Sequence, residues 1–208
     1  MLVMIALPVM AVTAADVLMK TSTVSGAESI DRRMGAAEAL VIVQRGIDHV
    51  EQTPDPEDNF GPSTGDRLSA LLSAEEISSA LGGARLLEIR SGGMEVRTAK
   101  GAVPVETTEV DLTDPLTQGL FDLQSGRWPT APDEIVVNQA LANKGYAVGE
   151  VLEQAEGRGS NGLTDPAPVI VGIAESTSLR DFAVAAGSIG SLGADAENSK
   201  AWLVDGPP

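Results

Sequence analysis

The chain has 208 residues, a formal net charge of −16 and no cysteine. Such a surplus of acidic residues repels nucleic acid and anionic lipid head groups, which argues against nucleic-acid binding. The absence of cysteine rules out a disulfide framework and a thiolate metal site. With only three Phe, two Trp and one Tyr, a core in a domain of this length must be aliphatic.

The first 15 residues are uncharged, and Leu2–Val12 is almost continuously apolar. This stretch is shorter than the ~20 residues with which a helix crosses a bilayer, and several interpretations stay open. A secretory signal peptide could be cleaved at Thr13-Ala14-Ala15, although no Lys or Arg precedes the apolar stretch. A buried helix of a soluble domain is another alternative. We expect the outer part of a first transmembrane helix, in which Pro8 is tolerated.

The sequence after this stretch continues with the spacing of an amphipathic helix. Apolar residues form a narrow stripe on one helix face, at Val17, Val24, Ala27, Ile30 and Met34. A signal peptide normally ends in a flexible cleavage region, whereas this pattern runs on. We therefore expect one long helix from Met1 to about Met34, with a stalk that leads into a strand at Leu40–Gln44. A surface helix of an ordinary α+β domain is the alternative.

The middle of the chain carries signals of short, mixed elements. Ser73 followed by Glu76 is a capping box, so a helix is expected over Ser73–Leu81, ended by the two glycines that follow. Alternating residues on either side of Ser-Gly-Gly predict a hairpin formed by Arg85–Arg90 and Met94–Thr98.

A strand is expected next, over Val103–Val110, and then a helix. Asp114-Pro115 places proline at the first position of that helix, which should run through Leu120 to the turn at Gly126. Helices and strands intermingle without a regular βαβ repeat. The predicted fold class is therefore α+β, with a mixed or antiparallel sheet and short helices.

The most ordered pattern begins at residue 126. Gly126 and Pro129 mark a turn, and the β-branched run Glu134–Val137 predicts a strand. Asn138 is a favourable N-cap for a helix over Gln139–Lys144.

Three glycines mark the helix end, the turn and the strand that follow in the sequence. Gly145 ends the helix in a left-handed conformation, and Gly149 is a turn residue before a strand over Val151–Gln154. A further strand over Pro168–Ile173, with Gly172 inside it, follows a glycine-rich loop.

In order and spacing, these elements and the apolar N-terminus resemble FtsX-like, MacB-type permeases of bacterial ABC transporters. The resemblance covers roughly residues 1–45 and 120–175 and rests on a structural motif at Gly126, Arg127, Pro129, Glu134, Gly149 and Gly172. It implies an extracytoplasmic domain with a MacB periplasmic-core-like fold, attached to the cell membrane by the first transmembrane helix. None of the motif residues is catalytic in this family, and no cofactor is implied.

The resemblance also implies partners and a way of working. A cytoplasmic ABC ATPase, on a separate subunit or domain, would hydrolyse ATP, and a second permease copy would complete a dimer. Movement of the membrane helices would travel up the stalk by mechanotransmission. The outer domain would then move a lipid, lipoprotein, peptide or drug, or activate an outer partner protein. Because the sequence ends at Pro208 without the later membrane helices of this family, we expect it to be a fragment.

Candidate chemical sites are few. His49 is the only histidine, which excludes a multi-histidine zinc site, and no Gly-x-Ser-x-Gly elbow accompanies it. Neighbouring residues with side-chain oxygens in the predicted surface loop 51–66 lack the spacing of a calcium loop; they are Asp55, Glu57, Asp58 and Asn59. Gly61–Asp66 lacks the Gly-Lys-Ser/Thr of a phosphate loop. A second surface loop is expected over residues 156–166.

The expected organisation has three parts. Residues 1–15 are the outer part of the first transmembrane helix, residues 16–36 the stalk helix, and residues 37–208 the extracytoplasmic α+β core domain. The alternative from another functional class is a secreted or membrane-anchored binding module, in which the N-terminus is a signal peptide. An enzyme is a third hypothesis and would require perturbed carboxylates around His49.

Overall fold

The computed structural model of the chain describes residues 32–44, 72–155, 167–179, 182–193 and 199–206. The apolar residues 1–15, most of the predicted stalk and both predicted surface loops lie outside these ranges, as do His49 and the calcium-loop candidates at residues 55–59. At the end of the predicted stalk, residues 32–34 are helical.

Eight strands in the described part form one mixed sheet. They are β1 (Ala39–Gln44), β2 (Arg85–Thr98), β3 (Gly101–Glu109), β4 (Phe121–Gly126), β5 (Glu134–Val137), β6 (Val169–Ser176), β7 (Val184–Gly187) and β8 (Ser199–Asp205). Their order is β1-β8-β2-β3-β7-β5-β6-β4. The β3–β7 and β5–β6 pairs are parallel, and the other neighbours are antiparallel.

Two short α-helices, α1 (Ala74–Ala80) and α2 (Gln139–Ala142), and a 3-10 turn at Pro115–Thr117 lie between the described strands. This arrangement confirms the predicted α+β class. The capping box of α1 is also confirmed, because the Ser73 hydroxyl accepts from Glu76 N while the Glu76 carboxylate accepts from Ser73 N.

Aliphatic side chains cover both faces of the sheet around β5. The first core consists of Met94, Val96, Val105, Ile135, Val137, Leu141, Tyr146, Leu152, Ile170, Ile173, Ala183, Ala185 and Leu192. The second core consists of Ala37, Ile89, Val110, Leu112, Leu116, Leu120, Val136, Ala174, Ala186 and Leu203. Because β5 is buried on both faces, it needs a continuous apolar run rather than an alternating one.

A register shift in β6 contributes to this division. Strict alternation would place residues three apart on opposite faces. The β5–β6 register shifts by one residue between Ile135 and Val136, and Ile170 and Ile173 consequently both belong to the first core.

The predicted hairpin around Ser-Gly-Gly is wrong, because residues 85–98 form one continuous strand. The first part of β2 pairs with β8 and the second with β3, so that Gly92 lies opposite Thr107 within the ladder. The turn comes later, where Gly101 has a φ of 122° and the Thr98 hydroxyl donates to Gly101 O at 2.7 Å. Long-range pairing on both sides of β2 outweighs the turn tendency of the glycine pair.

The predicted helix from Asp114 to Gly126 is also wrong beyond its first turn. Asp114 caps the 3-10 turn by accepting from Leu116 N at 3.0 Å, with Pro115 at the start as expected. Gly119 then takes a φ of 96°, and the chain continues as β4, which pairs with β6. The segment from residue 110 to residue 120 thereby covers the second core, where Leu116 and Leu120 are buried.

A fully buried carboxylate fixes the loop after β7. Glu109, at the end of β3, has no exposed surface and accepts from Gly190 N at 2.9 Å and Leu192 N at 2.6 Å. Hydrogen bonds to a charged acceptor are stronger than those between neutral groups. The carboxylate therefore holds this loop against the first core, which contains Leu192.

We expect Glu109→Gln to lower the free energy of unfolding by about 1.5–3 kcal/mol, because the amide loses the charge that strengthens both backbone hydrogen bonds. Glu106→Gln, three residues earlier on β3 and partly exposed, is the matched control and should be near neutral. Urea unfolding of both variants measures the difference. Equal midpoints would contradict a structural role for the Glu109 charge.

Candidate functional site

Two of the motif residues, Gly126 and Gly172, lie where the backbones of β4 and β6 approach each other closely. Gly126, with a φ of 78°, is opposite Gly172 in the β4–β6 ladder. A Cβ atom at Gly126 would lie 2.7 Å from Gly172 Cα, and one at Gly172 would lie 2.6 Å from Arg127 O. Neither position can hold a side chain unless the backbone moves.

The connection from β4 to β5 crosses the beginning of β6, since β4 and β5 flank that strand. It is attached to β6 at both ends: Arg127 N donates to Val171 O at 3.1 Å, and Val169 N donates to Asp133 O at 2.8 Å. Pro129 is buried inside the connection. The loop that begins with Gly-Arg-x-Pro is thus held at both ends against the beginning of β6.

An ion pair closes this loop. The Arg127 guanidinium donates to both oxygens of Glu134, the contact from Nη1 to Oε2 being 2.6 Å long. Glu134 Oε2 also accepts from Thr130 N at 2.9 Å and Ala131 N at 3.2 Å. Hydrogen bonding from Arg127, with a smaller contribution from Thr130 N, lowers the pKa of Glu134 from 4.5 to about 2.

The Asn138 side chain caps α2, as predicted, and makes two further hydrogen bonds. Its Oδ1 accepts from Leu141 N at 3.2 Å and from Val184 N at 3.0 Å, and its Nδ2 donates to Phe182 O at 2.7 Å. The side chain is buried. One amide therefore connects β5, α2 and the start of β7, and α2 ends at Ala142 rather than at the predicted Lys144.

Gly149 has a φ of 95°, in agreement with the turn expected there, and donates from its N–H to Ile170 O at 2.8 Å. The predicted strand Val151–Gln154 is wrong, because this segment makes only isolated bridges, from Val151 to Val169 and from Gln154 to Val96. It runs between two different strands, so it cannot form a regular ladder with either.

The first and last described strands bring two ends of the domain together. Ala39 of β1 pairs with Val204 of β8, and Glu38 N donates to Val204 O at 3.0 Å. Just before them, Ala36 N donates to Leu116 O at 3.1 Å. The sequence contains no local signal for this contact, because its partners lie far apart along the chain.

The described residues offer little reactive chemistry. They contain no group of three or more His, Asp or Glu side chains placed to hold a metal ion. An open groove of about 530 Å³ surrounds Tyr146 and includes Arg97 and Lys144 together with Glu150 and Glu153. Burial raises the pKa of the Tyr146 phenol, whose hydroxyl donates to Arg97 O. Tyr146 also belongs to the first core, so its ring has a packing role.

Across the described ranges, no helix combines the length and apolar character needed to cross a membrane. The predicted transmembrane stretch, residues 1–15, lies outside those ranges.

No protein-family model and no curated protein matches the chain. Among solved structures, it is similar to a domain described as part of a permease protein from Porphyromonas gingivalis, at 16% identity and a TM-score of 0.49, over 84% of this chain and 76% of that one. It is also similar to the extracellular domain of the noncanonic ABC-type transporter YknZ from Gram-positive bacteria, at 11% identity and a TM-score of 0.44, over 64% of this chain and 73% of that one.

We expect Gly172→Ala to lower the free energy of unfolding by about 1–3 kcal/mol, because the new methyl group overlaps backbone atoms that cannot move independently. Gly93→Ala is the control: it also lies in a strand, but the nearest atom to its Cβ, Val105 O, is 3.7 Å away. That variant should be neutral or more stable by up to ~1 kcal/mol. Thermal unfolding distinguishes them, and similar melting temperatures would contradict the close approach.

The Arg127–Glu134 pair should make stability depend on pH in the acid range. Because the folded-state pKa of Glu134 lies below its ordinary value, its contribution is present above pH 4.5 and is lost as the pH falls towards about 2. Glu134→Gln should be less stable than the parent at neutral pH, and the difference should shrink over this window. Glu95→Gln, an exposed position on β2, is the control. A difference that does not change with pH would exclude the ion pair as its origin.

Proposed function

We propose that this chain is the extracytoplasmic part of an ABC transporter permease subunit, which passes the ATP-driven movement of membrane helices to a substrate or partner outside the membrane. The main support for the proposal is that the first and last strands of the described domain lie side by side. The start of β1 lies beside the end of β8, with Ala39 opposite Val204. A domain inserted between two neighbouring membrane helices needs its ends close together.

The use of the motif residues also supports this role. Arg127 and Glu134 are engaged with each other, and Gly126 and Gly172 allow two backbones to meet. Residues used in this way stabilise a rigid outer body and leave no nucleophile or acid–base pair at the motif. This favours a domain that is moved or bound over one that catalyses a reaction.

The proposed partners follow from the same assignment. A cytoplasmic ABC ATPase supplies the energy, a second permease copy completes the assembly, and a lipid, lipoprotein, peptide, drug or outer protein receives the movement. The two similar solved domains come from a permease and a transporter. The net charge of −16 should keep the domain away from anionic lipid head groups and leave it anchored at the cell membrane through its entering helix.

The proposal predicts that continuity of the entering helix is required for coupling. In the full-length permease, reconstituted in vesicles with its ATPase, a Gly-Gly insertion after Ser25 should preserve ATP hydrolysis. It should abolish the ATP-driven fluorescence change of a dye on a cysteine introduced at Gln124, because a helix transmits movement only while its hydrogen-bonded rod is continuous. A second insertion at Val17 tests the same point nearer the membrane.

The matched control is the same insertion between Ala99 and Lys100, at the β2–β3 turn, which should leave both readouts intact. Retention of the fluorescence change after both helix insertions would contradict mechanotransmission and favour a passive binding module. Failure of the permease to associate with any ATPase would refute the proposed function itself.

A further inference from the structure

We infer that Gly35 and Thr177 form a rigid joint that fixes the entering helix to the sheet, so that helix and domain move as one body. We call the residues that meet there the helix joint: Arg32, Gly35, Gly119, Leu120 and Thr177. The joint itself stands on contacts within the described residues. Its consequence for transport rests on the proposed function.

The first component of the helix joint is a contact that only glycine permits. Gly35 follows the helical residues 32–34 and has a φ of 62°. A Cβ atom there would lie 2.9 Å from both Leu116 O and Gln118 O and 3.1 Å from Leu120 Cγ. On the other side, a Cβ atom at Gly119 would lie 3.7 Å from Gly35 Cα. The end of the helix is thereby pressed directly onto the backbone of residues 116–120.

The second component is a hydroxyl group shared by three carbonyls. Thr177 Oγ1 lies 3.0 Å from Arg32 O, 2.9 Å from Gly119 O and 3.0 Å from Leu120 O. A threonine hydroxyl has one hydrogen, so the three carbonyl oxygens share a single donor. Without it, three carbonyl oxygens would converge with no hydroxyl donor between them.

Thr177 directly follows β6, and its N–H donates to Leu120 O at 3.0 Å. The hydroxyl therefore lies where the helix end, the strand β6 and the 110–120 segment meet. Moving the helix end away from β6 or from the 110–120 segment would therefore break at least one of these contacts.

The 110–120 segment is in turn fixed to the other half of the sheet. The Arg85 guanidinium, at the start of β2, donates to both carboxylate oxygens of Asp114. Ala36 N also donates to Leu116 O. A displacement of the helix end therefore reaches β6 through Thr177 and β2 through Asp114 at the same time.

The test measures the distance between the helix and the sheet in the full-length protein. The 208-residue sequence has no cysteine, so spin labels can be attached at Arg33→Cys, on the helix, and at Gln124→Cys, on β4. Pulsed electron spin resonance should give one narrow distance distribution, unchanged when the ATPase is trapped with nucleotide. Thr177→Val, which keeps the shape but removes the donor, should broaden it.

Two further variants make the result specific. Thr177→Ser restores the hydroxyl and should restore the narrow distribution. Thr98→Val removes an equivalent hydroxyl-to-carbonyl hydrogen bond at the β2–β3 turn and should leave the distribution unchanged. Circular dichroism confirms that each variant is folded.

The joint would be overturned if the parent protein gave a broad distribution, or one that shifts with nucleotide. It would also be overturned if Thr177→Val matched the parent, or if Thr177→Ser behaved like Thr177→Val. The width of the distance distribution is measured without ATPase as well. If the parent protein gave a narrow distribution but associated with no ATPase, the proposed function would be refuted and the joint would stand.

Discussion

The near contact of two backbones, β4 and β6, determines much of what surrounds it. Since neither Gly126 nor Gly172 has room for a side chain, the chain leaving β4 passes close over the beginning of β6. It can then reach the other side of that strand in a short loop. The Arg127–Glu134 ion pair closes this loop, and β5 begins at Glu134 in parallel with β6.

Parallel pairing has a second consequence, because it requires connections that cross a face of the sheet. The connection from β5 to β6 contains α2 and the segment after it, which contributes Leu141, Tyr146 and Leu152 to the first core. The same segment covers the edge of β2, where Arg97 N donates to Glu153 O and Ala155 N donates to Glu95 O, both at 2.8 Å. The edge is thereby protected from pairing with another chain.

The second core is covered in the same manner by the segment from residue 110 to residue 120. This segment also contacts the residues just after the helical residues 32–34, since Ala36 N donates to Leu116 O at 3.1 Å. Its hydrophobic side chains, such as Leu116 and Leu120, make displacement unfavourable. The apolar packing thus stiffens the joint that Gly35 and Thr177 form.

Local chemistry made some of these elements predictable from the sequence. The α1 capping box depends on residues three apart, and the N-cap of α2 depends on Asn138 and its immediate neighbours. The predictions failed where pairing partners are distant. The glycine pair at Gly92 becomes part of a strand because β3 lies alongside it, and the predicted helix after Asp114 stops because β4 pairs with β6.

The contacts of the candidate site also differ in how far apart their partners lie along the sequence. The resemblance identified Arg127 and Glu134 seven residues apart, within one turn-rich block, whereas Thr177 and Arg32 are separated by 145 residues. Glu109 likewise holds a loop 81 residues away. No pattern within a short window can reveal such contacts, since an isolated Thr or Glu at a strand end is typical of any surface. Their roles depend on the sheet topology and become visible only with it.

The chemistry of these contacts also makes them insensitive to pH near neutrality. The helix joint is made of carbonyl, hydroxyl and glycine backbone groups, none of which titrates near neutral pH. The ion pair that fixes the 110–120 segment to β2 remains charged as well, since hydrogen bonding from Arg85 lowers the pKa of Asp114. Without a group that titrates near neutrality, the joint holds the helical residues 32–34 against the sheet over a wide range of pH.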